Sequence, residues 1–264
     1  MEYEEIKLVK QSDKSTVHLV RGAGQVFIRK TLTGQHPVYQ ALQDNPHPCL
    51  PRIQEVAVSE NSTTVIEEYI EGQTAGTEEL SGKQFRQIVR ELCSVLEFLH
   101  GKGVIHRDIK PSNILLTEDG HVRLIDFDAA RMRKEQQEQD TRLLGTRGFA
   151  PPEQYGFAQT DERSDIFALG VTLAQLLPEN AGRAHYKRVL RKCMNMDPNE
   201  RYQSVGELRR AFFRTGRNVL WGFGALCVLI LLVAGGIWMS ARGGGEAGTA
   251  KEGAELTVLP APGN

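Results

Sequence analysis

From Val219 to Met239 the chain runs for 21 residues without a charge, VLWGFGALCVLILLVAGGIWM. At about 1.5 Å per residue a helix of that length spans roughly 30 Å, the thickness of a bilayer core. Trp221 and Trp238 lie near its two ends, where amphipathic rings favour the membrane interface. A buried core helix is the alternative and fits the length and flanks less well. The stretch lies near the C-terminus, and the N-terminal MEYEEI is acidic, so neither reads as a cleaved signal peptide. Arg209, Arg210, Arg214 and Arg217 precede the stretch, whereas only Arg242 closely follows it. That excess marks the N-terminal side as cytoplasmic. The expected organisation is a cytoplasmic domain over 1–215, a single transmembrane helix over 219–239 and an extracytoplasmic tail over 240–264. The tail is too short and too poor in apolar residues to form a core.

The 264 residues include 40% apolar and 25% charged, which is enough to bury an ordinary core. Lys plus Arg number 32 against 33 Asp plus Glu, so the net charge is −1. A nucleic-acid partner is therefore not expected, since such binders carry a basic excess. Cys49, Cys93, Cys193 and Cys227 are scattered, with no C-x-x-C pair. This spacing disfavours a zinc module and a disulfide scaffold and fits buried thiols.

The pattern within 1–215 changes near residue 72. Before it lie short β-like runs at Thr16–Val20, Gln25–Leu32, Glu55–Ser59 and Thr63–Tyr69, with Gly22-Ala23-Gly24 as a hairpin turn between the first two. A short helix is expected from Pro37 through VYQALQD. After residue 80, Phe85, Ile88, Val89, Leu92, Val95, Leu96 and Leu99 recur at three and four spacing and mark one helix face. DIFALGVTLAQLL is apolar nearly all round and reads as a buried helix. The expected fold class is α+β, with a β-rich N-lobe over 1–70, a larger helical C-lobe over 73–215 and a ligand cleft between them.

Between the two helices lies VIHRDIKPSNILLTEDGHVRLIDFDAAR. ILLT and VRLID flank a turn at Glu118-Asp119-Gly120 and read as a hairpin that returns Asp126 close to Asn113. An acid and an amide so placed can bind a hard cation through oxygen. Asp108 and Lys110 lie two apart, so in an extended loop their side chains point the same way. A proton acceptor beside a positive charge suits transfer of an anionic phosphoryl group to a hydroxyl.

These residues resemble the eukaryotic-like serine/threonine protein kinases, and especially the bacterial membrane-anchored ones, over residues 6 to about 213. HRDIKPSN resembles the catalytic loop, Asp126-Phe127-Asp128 the D-F-G motif and Ala150-Pro151-Pro152-Glu153 the A-P-E motif. Asp165 and Gly170 resemble the buried-helix Asp and Gly of the large lobe, and Arg201 the partner of Glu153. The resemblance implies that Asp108 accepts the proton of the substrate hydroxyl and that Lys110 neutralises the transferred phosphoryl group. It implies Asn113 and Asp126 as Mg²⁺ ligands and Lys30 as the contact to the ATP phosphates. Arg29 competes with Lys30 for that register, but alternation places Val26, Ile28 and Lys30 on one face. Glu68 to Ile70 would form the hinge that meets adenine through the main chain, with Glu67 in the gatekeeper position. Thr146 resembles the threonine that contacts the catalytic Asp in Ser/Thr kinases. The implied partners are ATP, protein substrates with Ser or Thr acceptors, the membrane and a second copy of the chain for autophosphorylation. Thr141 is the favoured acceptor in the segment after Asp128, to be paired with Arg107 once phosphorylated.

Three departures stand beside the resemblance. Lys10, Ser12 and Ser15 occupy the positions of the family's loop glycines. The helix from Pro37 has no Glu for Lys30, leaving Gln40, Gln43 and Asp44 as substitutes. Asp128 replaces the motif's Gly and its backbone freedom. A non-catalytic scaffold and a small-molecule phosphotransferase remain as rival readings. Retention of Lys30, Asp108, Lys110, Asn113 and Asp126 favours an enzyme, and GTRGFAPPEQYG favours a protein substrate.

Overall fold

The computed structural model describes residues 2–133, 146–155, 160–179, 183–214 and 233. One compact unit covers Met1–Phe213, and Arg214–Asn264 form a second. The expected membrane span and tail, 219–264, lie outside the described residues apart from Val233. Among the described residues no helix is long and apolar enough to cross a membrane.

The N-terminal part is an antiparallel sheet. Its strands in chain order are β1 (Glu4–Gln11), β2 (Ser15–Gly22), β3 (Gln25–Thr33), β4 (Ile53–Val58) and β5 (Ser62–Glu68), and their spatial order is β1-β2-β3-β5-β4. Strand β1 is absent from the sequence expectation. All eight of its residues are exposed, so it shows no buried alternation, and its Glu and Lys side chains are those of a sheet edge. Helix α1 (Pro37–Asp44) starts on the proline and buries Val38, Tyr39 and Leu42. Proline suits that position because its missing N–H has no helical partner there.

The C-terminal part is helical. Helix α2 (Gly82–Gly101) opens with a capping box in which Ser81 and Gln84 satisfy each other's backbone N–H groups. It buries every residue of the expected stripe and also Cys93. Short strands flank it: β6 (Gln73–Thr74) before α2, and β7 (Val104–Ile105), β8 (Ile114–Leu116), β9 (Val122–Leu124) and β10 (Arg131–Met132) after it. Strands β6, β8 and β9 make one small sheet, and β10 pairs with β7. Helices α3 (Glu162–Leu176), α4 (Arg183–Cys193) and α5 (Val205–Phe212) complete the domain. Helix α3 is buried along most of its length, as its uniform apolarity requires. Gly170 lets α3 approach α4, since a Cβ there would lie 2.5 Å from Cys193 Cβ. One hydrophobic core runs from Leu32 and Val38 through the α2 stripe to Phe212. Cys49, Cys93 and Cys193 are free and buried, as scattered thiols should be, and Cys227 lies outside the described residues.

The β2–β3 turn matches the expected hairpin, with Gly22 opposite Gln25. Ala23 and Gly24 both have positive φ, +48° and +78°. Glycine adopts that region freely, whereas the Ala23 Cβ crowds its own carbonyl. Ala23 is exposed and loses no packing on truncation. Ala23→Gly is expected to stabilise the fold by about 0.5–1 kcal/mol, read as a rise in the urea midpoint at unchanged slope.

Candidate active site

A buried carboxylate shapes the loop that carries the chemistry. Asp165 Oδ2 accepts from His106 N at 2.9 Å and Oδ1 accepts from Arg107 N at 2.8 Å. His100 Nε2 lies 2.8 Å from the same Oδ2. Gln154 Nε2 donates to Arg107 O at 2.8 Å. Arg107 sits at φ +69°, a conformation rarely adopted by a residue with a Cβ, and these bonds hold it there. Burial alone would raise the Asp165 pKa, but His100, His106 and the Arg107 N–H outweigh it and the net shift is downward. Glu153 is held in turn by Arg201, with Nη1 to Oε1 at 2.6 Å and Nη2 to Oε2 at 3.0 Å, and both side chains are buried. Ser164 Oγ adds a bond to Glu153 at 2.9 Å. The Glu153–Arg201 partnership is thus present as expected.

Three groups converge on Asp108. Lys110 Nζ donates to Asp108 Oδ2 at 2.7 Å and to Thr146 Oγ1 at 2.8 Å. Thr146 Oγ1 donates to Asp108 Oδ1 at 2.8 Å. Asn113 Nδ2 donates to Asp108 Oδ2 at 3.0 Å and to Asp108 O at 2.9 Å. Burial pushes the Asp108 carboxyl up, but the bonds from Lys110 and Thr146 prevail and hold it below the usual carboxylate value. Asp108 is therefore ionised at neutral pH, an acceptor beside a fixed ammonium.

The β8–β9 hairpin carries out the expected return, and Ile125 N donates to Asn113 O at 2.9 Å, which seats Asp126 beside Asn113. Asp126 has φ +67°, so the left-handed residue of this motif is its first. Asp128 has no positive φ among the described residues, so its replacement of Gly carries no backbone cost, contrary to expectation. Its side chain is instead used: Tyr39 Oη donates to Asp128 Oδ1 at 2.8 Å, joining α1 to the motif. Phe127 is buried with its ring 4.7 Å from that of His106.

Lys30 is buried on the cleft face of β3, while Arg29 points the other way and pairs with Glu5, which settles the register. The expected substitutes on α1 do not reach Lys30. Gln40 donates to Gln43 and Asp44, and Gln43 donates to Gln54 O, all on an exposed surface. Lys30 Nζ meets Glu67 Oε1 at 2.9 Å instead. Burial works to lower the Lys30 pKa, but Glu67, Asp128 and Asp126 outweigh it and raise it. Burial raises that of Glu67 against the opposing pull of Lys30. The signal was in strand pairing: Ile28 faces Glu67 across β3 and β5, so Lys30 and Glu67 are diagonal neighbours on one face.

These groups line a cleft of about 230 Å³. Val17 and Ile28 wall it from the sheet, and Leu115 and Ile125 from the hairpin. Glu68, Tyr69 and Ile70 border it, so the segment named from sequence as the hinge stands at its rim, and Glu68 N is bonded to Arg52 O at 2.9 Å. Lys10 reaches in from β1, with Nζ 3.9 Å from Asp126 Oδ2. The β1–β2 turn contains no glycine, and Ser12 Oγ accepts from Ser15 N at 3.1 Å and from Lys14 N at 3.3 Å. The Ser12 hydroxyl thus closes its own turn rather than facing the cleft with Lys10. Among the described residues no three His, Cys, Asp or Glu side chains form a metal cluster. Asn113 and Asp126 present a partial oxygen shell, the arrangement Mg²⁺ takes when phosphates and water complete it. The donor set fits that ion: both residues offer oxygen, and Asp126 keeps its side chain 26% exposed. Thr141 lies outside the described residues.

Asp165→Asn is expected to destabilise the fold by about 2–4 kcal/mol at pH 7, because an amide cannot accept all these bonds. The folded pKa of Asp165 is depressed, so its contribution is complete above the unfolded value near 4 and is lost as pH falls through the folded one. Denaturation midpoints of the two proteins should therefore converge in acid.

Comparison with known proteins follows the same lines. Residues 29–182, more than half of the chain, match the family described as Protein kinase domain, and the match begins in β3, leaving β1, β2 and their turn outside it. Serine/threonine-protein kinase PknD of Chlamydia muridarum is 31% identical over 184 residues, covering 51% of this chain and 20% of the relative. Serine/threonine-protein kinase D of Synechocystis is 29% identical over 191 residues, covering 61% and 38%. Serine/threonine-protein kinase PknB of Mycobacterium leprae is 27% identical over 207 residues, covering 64% and 33%. The chain thus spans about a fifth to two fifths of the length of these relatives.

Proposed function

We propose, for a chain that belongs to the protein kinase domain family, that it transfers the γ-phosphoryl group of ATP to Ser or Thr hydroxyls of proteins. The observation that carries this reading is the Asp108–Lys110–Thr146 triangle beside Asn113 and Asp126. ATP with Mg²⁺ supplies the phosphoryl group and neutralises its charge. Asp108, ionised and fixed, accepts the hydrogen bond and then the proton of the incoming hydroxyl. Lys110, tied to Asp108, holds positive charge where the phosphoryl oxygens gather. Asn113 has its amide nitrogen committed to Asp108, which leaves its carbonyl oxygen, with the Asp126 carboxylate, as the cation ligands. Lys30 meets the phosphates, and the apolar walls with the main chain at Glu68 and Ile70 receive the base. The Thr146 contact, and names such as PknD and PknB among the relatives, favour Ser/Thr acceptors.

A scaffold that does not turn over draws on one observation, Lys10 of β1 placed near Asp126 beside a β1–β2 turn without glycine. Labelled-ATP incorporation by the full chain separates the two readings. Asp108→Asn and Asp126→Asn should each lower incorporation by about 100-fold or more. ATP-dependent thermal stabilisation without incorporation would decide for the scaffold.

The 219–239 stretch is proposed as a single span with the kinase domain on the cytoplasmic side, supported by its uncharged length and the preceding arginines. Tethering raises the concentration of one copy near another and favours autophosphorylation between copies. The full chain should stay with membranes through alkaline extraction, and a chain with 219–239 deleted should be released.

A further inference from the structure

We propose that Glu67 is the positioning residue of Lys30, so that the phosphate-contacting lysine is set by strand β5 and not by helix α1; this rests on the phosphotransfer reading above. Four observations converge on it. Lys30 Nζ is 2.9 Å from Glu67 Oε1, and the side chains are only 7% and 5% exposed. The β3–β5 register places the two residues diagonally on one face, so the sheet itself dictates the contact. Among the described residues the second oxygen of Glu67, Oε2, has no hydrogen-bond partner, so Lys30 is the group that engages this carboxylate. Finally, α1 presents an aromatic ring where a carboxylate would be needed. Lys30 Nζ lies 5.7 Å from the centroid of Tyr39, whose hydroxyl is committed to Asp128.

Stability alone does not account for this pair. Ion pairs taken out of water are often replaceable by apolar residues without loss. A charge held at the inner end of the cleft has a use if it orients the lysine. Without Glu67, Asp126 and Asp128 would compete for Lys30, and the ammonium would be drawn toward the cation ligands rather than held clear of them.

The test uses the full chain with Mg·ATP and two readouts: steady-state phosphate transfer, giving kcat and KM for ATP, and equilibrium binding of a fluorescent ATP analogue. Glu67→Gln keeps the shape and removes the charge, and is expected to lower kcat/KM by about 10- to 100-fold, with KM raised and kcat reduced. Glu67→Asp keeps the charge and should recover part of the loss. Gln40→Ala, Gln43→Ala and Asp44→Ala should each change kcat/KM by less than about twofold, as exposed surface changes do. A wild-type chain that transfers phosphate, with Glu67→Gln equal to it, overturns this proposal and leaves the phosphotransfer reading standing. A tenfold loss from any of the three α1 variants also overturns it. Wild type that binds the analogue without transfer overturns the phosphotransfer reading, and analogue affinity in Glu67→Gln then decides the proposal, loss for it and no change against it. Wild type that does neither overturns both. Should Glu67→Gln not fold, Glu67→Asp carries the comparison: weaker analogue binding at an unchanged denaturation midpoint supports the proposal, and unchanged binding sinks it.

Discussion

Asp165 places a full negative charge where no water reaches, and the loop around it is shaped by what that charge requires. An isolated buried carboxylate is costly, so it gathers donors from the surrounding chain. Two of those donors are the consecutive backbone N–H groups of His106 and Arg107. Satisfying both pulls Arg107 into left-handed backbone, a conformation that costs about 1–3 kcal/mol when unsupported. Asp108 follows directly from this bend and emerges beside Lys110 and Thr146. The position of Asp108 is thus set by a helix more than fifty residues further along the chain. The Glu153–Arg201 pair does similar work one layer out. Arg201 satisfies Glu153 with two donors and spends others on the carbonyls of Asn195, Arg163 and Met196, so the loop bearing Glu153 is held to the C-terminal helices.

The second half of the site depends on the hairpin of β8 and β9. Its register places Ile125 N on Asn113 O, which leaves Asp126 next to the amide. Phe127 then enters the core against His106, and that buried ring fixes the direction in which Asp126 and Asp128 leave the backbone. The result is a set of carboxylates, Glu67, Asp126 and Asp128, met by the ammonium groups of Lys30 and Lys10.

Much of this was legible in the chain because it is local. The α2 stripe, the hairpin turn at Gly22–Gly24, the proline that starts α1 and the Asp108–Lys110 spacing each follow from short-range rules. Ordered motifs brought Glu153 and Arg201 together across nearly fifty residues, where periodicity has no reach. Strand β1 was not legible, because an edge strand with charged faces lacks the burial pattern by which strands are recognised. The partner of Lys30 was missed for a different reason. Helix α1 supplies no acid to it; the contact lies in the pairing of β3 with β5, and pairing register is not written in either strand alone. Asp128 replaces a glycine without needing its backbone freedom, because the left-handed residue of the motif is Asp126, and which position bears the positive φ is set by the packing of Phe127 and not by residue type.

Moving the lysine's partner from a helix to a strand changes what the cleft responds to. A diagonal pair on adjacent strands is held by the backbone ladder on both sides, so its geometry shifts only if the sheet does. Helix α1, in contrast, is joined to the motif by the hydroxyl of Tyr39 on Asp128, and Asp128 N reaches back toward Asp126 Oδ1 at 3.4 Å. Displacement of α1 would therefore act first on the Asp128 and Asp126 carboxylates, ahead of the Lys30–Glu67 contact. The Lys30 ammonium and the carboxylates of Asp126 and Asp128 are thus mounted on separate supports, one on the sheet and one on the hairpin with α1.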